Sequence, residues 1–216
     1  MRGCNQISPE NQRLLNKIVH QLATSLQKQM VEFVDVLLDG LTAASTNKRN
    51  LVASLVRGTE IPIFDEDDSM VYRDLGFNDL VGIVHLRNLI LELRGPAKPD
   101  APDAAYVHRV LRQLDLVRDY FVYLLECLGS YLELPTCTGT YRATLVELLP
   151  CFELFFADMR SFKRIAAQLL HDARETGASD SSTFAVEDSV LLEIEALERR
   201  KIQFRGLVAG LDVKPC

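Results

Sequence analysis

Leu15, Val19, Leu22, Leu26, Met30, Phe33, Leu37 and Leu41 recur three or four residues apart through a stretch otherwise rich in Gln, Asn and Lys. That spacing puts them on one face of an α-helix. The same stretch encodes its own ends. Ser8 can accept from first-turn amides, Pro9 has the φ of a first helical residue, and Gly40 offers a left-handed stop, which predicts a helix over 9–39. The pattern returns three times. Val107, Val110, Leu114, Val117, Phe121 and Leu124 predict a helix over 104–132, closed by Pro135. A third runs over 141–174, with Pro150 placed where its missing amide and ring clash should bend it. A fourth, over 183–210, carries Val190, Leu191, Ile194, Leu197, Ile202 and Leu207, with Thr183 or a nearby Ser as its cap. No comparable run alternates with period two. The expectation is an all-α single domain over 1–216, a helical bundle of four long helices.

A short helical insertion separates the first long helix from the second. Asn50 can cap a helix over 51–57 that Gly58 closes. Pro62, between two isoleucines, makes 59–64 an extended crossover that runs into Asp65, Glu66, Asp67 and Asp68. These carboxylates suit the positive end of a short helix around 69–75, stopped by Gly76. Asn78 or Asp79 then starts a helix through Leu80, Ile83, Val84, Leu86 and Ile90 that ends at Gly95-Pro96. The loop over 95–103 follows, with Pro96, Pro99 and Pro102 in it. Glu175 to Thr183 is a polar loop.

At 216 residues and 48% hydrophobic, the chain can bury a sizeable core, and its composition is that of a folded globule rather than a disordered tract. The net charge of −6 is localised. Residues 59–103 hold ten acids against four bases, which accounts for the whole excess. With no basic balance elsewhere, nucleic-acid binding is disfavoured, and Asp65, Glu66, Asp67 and Asp68 stand out as a docking element for a basic partner. The five cysteines are odd in number and unpaired in spacing, which favours thiols and an intracellular, cytoplasmic or nuclear, setting. The most apolar stretch, 145–156, is broken by Glu147, Pro150 and Glu153 and is too short to span a bilayer. No lipidation motif is present.

Chemistry-bearing patterns are few. His171-Asp172 resembles the dipeptide of the all-helical HD phosphohydrolases, whose adjacent His and Asp ligate metal and activate water. The resemblance covers two residues, and it implies His85 or His108 as the upstream ligand and Asp188 as the downstream one. The plain reading of the pair is an exposed His near a helix C-terminus, where its charge is welcome. Asp65-Glu66-Asp67-Asp68 is similar to the Asp-x-Asp-Asp of helical terpene cyclases, a family that needs a far longer, aromatic-lined chain. Cys137 to Arg142 resembles a phosphatase loop but has four residues between Cys and Arg where such loops need five. Leu145-Val146-Glu147-Leu148-Leu149 matches the LxxLL pattern of groove-binding helices, as a Leu-rich core helix also does. His20 and His108 have no histidine at helical spacing to complete a metal pair. No catalytic residue, cofactor or metal ligand is therefore assigned.

One segment is more apolar than a single buried face requires. From Leu145 to Phe162 the apolar residues point around most of the helix, so it is either central or half covered by another chain. Phe152, Phe155, Phe156 and Met159 mark that candidate interface. The function expected is a non-catalytic protein-interaction module, an adaptor or complex subunit, with self-association open to it. A metal-dependent HD-type phosphohydrolase and a helical binder of an apolar ligand are the alternatives.

Overall fold

The computed structural model describes residues 7–43, 46–58, 77–94, 101–132, 140–176 and 184–210. All their regular structure is helical: α1 (Pro9–Thr42), α2 (Thr46–Arg57), α3 (Phe77–Leu91) with a 3₁₀ turn (Glu92–Arg94), α4 (Tyr106–Leu132), α5 (Thr140–Thr176) and α6 (Asp188–Gly210). The short helix expected around 69–75 lies outside the described residues.

Local chemistry sets the helix ends. The Ser8 hydroxyl accepts from the Asn11 amide at 3.2 Å, the Gln12 amide donates to the Ser8 carbonyl at 2.9 Å, and Pro9 opens α1. Gly40 does not end the helix as expected. It is buried inside α1, which continues to Thr42, whose hydroxyl donates to the Leu38 carbonyl at 2.8 Å. The left-handed stop appears instead at Gly58, with φ 66°, after α2. α4 begins at Tyr106 rather than 104 because the first α-helical bond is the one the Arg109 amide gives the Ala105 carbonyl at 3.0 Å, and Asp103 organises the turn before it. The Asp103 carboxylate accepts from the Ala105 amide at 2.9 Å and from Arg109, and the Tyr106 amide donates to the Asp103 carbonyl. The Arg109 hydrogen bond, foremost, holds that carboxyl below its usual range. α6 likewise starts after the expected Thr183, where the Glu187 carbonyl takes the amides of Val190 and Leu191 at 3.0 and 3.1 Å.

α1 is the hub, and it touches every other helix and the 3₁₀ turn. Its buried set includes the apolar stripe and also Asn11, Gln12, Asn16, Gln27 and Gln29. Those amides hold other elements in place. Gln27 Nε2 donates to the carbonyls of Ile90 and Leu91 at 3.1 and 2.6 Å, and Gln113 Nε2 donates to that of Leu89 at 2.9 Å. The last carbonyls of α3, which have no partner in their own helix, are thereby satisfied. Asn16 Nδ2 reaches the carbonyls of Ala101 and Asp103 at 3.1 and 3.0 Å and fixes the approach to α4. His20 Nδ1 lies 2.9 Å from the Tyr106 hydroxyl.

An aromatic knot joins the long helices. The Phe33 ring of α1 lies 6.3 Å from Phe121 of α4, 5.0 and 5.5 Å from Phe152 and Phe155 of α5, and 6.1 Å from Phe204 of α6. Most of these contacts are tilted or edge-on, the arrangement ring quadrupoles favour. Gly82 keeps α3 close to α4, since a Cβ there would stand 3.0 Å from the Leu124 side chain.

Candidate interaction surfaces

Phe152, Phe155 and Met159 are buried within this chain, and Phe156 is half-buried with its ring 5.1 Å from Phe121. The reason lies in what surrounds α5: it packs against α1, α4 and α6 at once. A helix with three neighbours needs apolar residues around most of its circumference, which is the feature the sequence shows. Partner access to Phe152, Phe155 or Met159 would require one of those neighbours to move away, whereas Phe156 keeps some surface. The outward side of the same helix presents Val146, Glu147, Pro150 and Glu153. The side chains of Leu145, Leu148 and Leu149 lie outside the described set.

Asp65, Glu66, Asp67 and Asp68 also lie outside the described residues, as does Cys137. The described acids nearest in kind line an open groove of about 620 Å³ along α1, formed by Lys28, Val31, Glu32, Asp35, Val36 and Asp39 with Arg205 of α6. Its charges are largely matched. Arg87 Nε donates to Asp35 at 2.7 Å, and Arg205 lies 3.8 Å from Glu32. Burial first, and then the Asp35 charge, raise the Asp39 carboxyl above its usual value.

The most polar buried cluster was not foreseen. Asp158 of α5 is fully buried and accepts from Gln29 of α1 and, at 2.5 Å, from Arg200 Nε of α6. The Arg200 guanidinium also donates to Ser161. Burial pushes the Asp158 carboxyl above its ordinary value, against the opposing pull of Arg200 and Gln29. The cluster acts as a three-helix clasp of α1, α5 and α6. The sequence did carry a signal for it, since Asp158 and Ser161 fall on the same face as the apolar residues of α5.

The HD pair is only loosely assembled. His171 is 67% exposed, its Nδ1 stands 3.4 Å from Asp172 Oδ1, and Gln168 donates to that same oxygen at 2.7 Å. Asp172 Oδ2 is buried without a partner. Neither upstream candidate converges on the pair to form a ligand set. His108 lies 3.4 Å from Arg174, and His85 stacks edge-on with Tyr120 at 4.9 Å. Asp188 is exposed at the start of α6. Among the described residues no three His, Cys, Asp or Glu side chains are grouped to hold a metal ion. Cys127 and Cys151 are free thiols, and burial raises that of Cys151. No described helix is long and apolar enough to cross a membrane.

The family model described as YGL117W matches residues 8–206. The chain belongs to the YGL117W family. No curated protein and no solved structure matches it. The YGL117W match begins at Ser8, the cap of α1, and ends just past Phe204, so it takes in every helix that meets Phe33.

Proposed function

We propose that this YGL117W-family chain is a non-catalytic interaction subunit, built as a single bundle of its four long helices with α2 and α3 as the insertion. The observation that carries the reading is the outer side of α6. While Val190, Leu197 and Phe204 face inward, Leu192 is 61% and Ile202 73% exposed, so large apolar side chains also stand on the outward side, among Glu195, Glu198 and Arg199. A surface helix of a lone globule ordinarily keeps its second side polar. The reading places the chain inside the cell, in keeping with the free thiols of Cys127 and Cys151. A basic partner at Asp65, Glu66, Asp67 and Asp68, and self-association, both remain part of it.

The test is the size of the native protein in a gentle extract, followed by the same measurement on Leu192→Asp/Ile202→Asp. A stoichiometric complex that the double variant loses, with its melting temperature unchanged, is the outcome expected. A chain that elutes wholly as a free monomer under all extraction conditions would overturn the reading.

A further inference from the structure

α4 and α5 lie side by side, and their outward positions build a cationic face on a protein whose net charge is −6. On α5, Arg160, Lys163, Ala167, His171 and Arg174 fall at helical spacing along one exposed stripe. On α4, His108, Arg112, Asp115 and Asp119 form the matching stripe, with Arg118 beside it. Two contacts stitch the rows together: Lys163 Nζ lies 2.7 Å from Asp115, and Arg174 Nη2 lies 3.4 Å from His108 Nε2. Asp115 and Asp119 within the face are already engaged, and Glu175 stands at its edge beside Arg174. Asp115 serves Lys163 and, at 3.1 Å, Arg118, which also binds Asp119 at 2.7 Å. Arg112 and Arg160 are exposed and have no counter-ion among the described residues, and Arg174 faces a histidine rather than an acid.

We propose that this α4–α5 seam docks an acidic polypeptide segment of a partner protein. The inference rests on the interaction reading above and names the chemistry of one partner. Charge complementarity selects the occupant. Carboxylates spaced along a peptide can meet Arg112, Arg160 and Arg174 individually and avoid Asp115 and Asp119, which lie between them. A continuous phosphate backbone would be forced against those two acids. Between His108 and Asp119 and between Arg160 and Arg174 no exposed Phe or Tyr side chain offers a base a surface to stack on, the nearest exposed one being Tyr123 one turn beyond Asp119. The acids Glu126, Glu147 and Glu153 at the far end of the same two helices set a direction, so a segment acidic at one end and neutral or basic at the other fits best.

The test is fluorescence anisotropy on the full chain with a labelled oligoglutamate peptide, a single-stranded RNA and phosphatidylserine vesicles as probes. The variants are Arg112→Glu/Arg160→Glu on the seam and Arg57→Glu, exposed on α2, as control. The peptide is expected to bind with strong salt dependence and to lose about tenfold in affinity in the seam variant alone. Thermal melts establish that both variants are folded. Absence of peptide binding at low salt, an equal loss in the control, or tighter binding of RNA or vesicles through the same two arginines would each overturn the proposal. Size measurement of the native complex separates this failure from that of the broader reading. A complex that survives in the seam variant overturns only the seam, whereas a chain with no complex removes the interaction reading and this inference together.

Discussion

Replacing Arg200 by Met removes the counter-ion of a carboxylate that water cannot reach. Asp158 is fully buried and Arg200 about three-quarters so, which puts the pair in the class where breaking one partner costs about 3–5 kcal/mol. For a chain of this length that corresponds to a fall in melting temperature of roughly 6–20 °C. The loss should depend on pH with a definite sign. The folded-state value of Asp158 lies above its unfolded value, so the folded protein binds this proton the more readily. Its contribution to stability is complete below the unfolded pKa and is lost as pH rises through the folded one. Without Arg200 the folded value rises further, so the deficit of Arg200→Met should be largest near neutrality and shrink on acidification, when a protonated Asp158 needs no counter-ion. Asp158→Asn, which keeps the shape but leaves the largely buried Arg200 guanidinium without its counter-ion, should also destabilise at pH 7, by less than Arg200→Met because Arg200 retains some contact with solvent. Urea denaturation of the three proteins between pH 4 and 7 measures this directly. A penalty below about 1 kcal/mol, or one independent of pH, would refute the assignment of the cluster as a buried charge clasp.

Phe155→Ala should cost about 3–5 kcal/mol, since it empties the centre of the aromatic knot, while Phe156→Ala at the half-buried edge should cost clearly less; urea midpoints with light scattering distinguish the two. Gln27→Ala strands the Ile90 and Leu91 carbonyls and is expected to lose about 1–3 kcal/mol, with amide exchange quickening at the end of α3 before it does in α5. Changing Asp65, Glu66, Asp67 and Asp68 to Asn or Gln should leave thermal stability nearly unchanged and weaken a basic partner in a salt-dependent way, and a large drop in melting temperature would show instead a structural role. Metal analysis of purified protein should find no equimolar divalent ion, and an ion lost in His171→Ala would favour the hydrolase alternative.

The helices were legible because a 3.6-residue period is a local property, visible in Leu15 to Leu41 without reference to anything distant. Their ends were less so. Gly40 can terminate a helix, but burial in the hub keeps it inside one, and Asp103 and Glu187 define starts through hydrogen bonds that depend on how the following turn is placed. The apolar excess of α5 was visible, but the number of its neighbours was not. A helix flanked on three sides and a helix covered by a partner are written in the same residues. The cationic seam was hidden for another reason. A charge count along the chain balances Arg112, Arg118 and Arg160 against acids elsewhere, and only the packing of α4 on α5 brings these cations to one face.

The polar side of α1 shows most clearly why pattern alone underdetermines this fold. Gln12, Asn16, Gln27 and Gln29 look like the solvated face of an amphipathic helix, yet they are buried, because each amide donates to an acceptor that would otherwise be stranded: a side-chain carbonyl for Gln12, backbone carbonyls for Asn16 and Gln27, and a carboxylate for Gln29. Gln27 closes the end of α3, Asn16 holds the 101–103 approach to α4, and Gln29 reaches the Asp158–Arg200 pair that fastens α6. An apolar residue at any of these positions would leave a buried acceptor stranded, and a charged one would add a desolvation cost. The amides therefore tie the sequence of α1 to α3, to the approach to α4 and to the pair that joins α5 and α6, and the stretch that matches the YGL117W family, 8–206, contains both these donors on α1 and all the acceptors they serve.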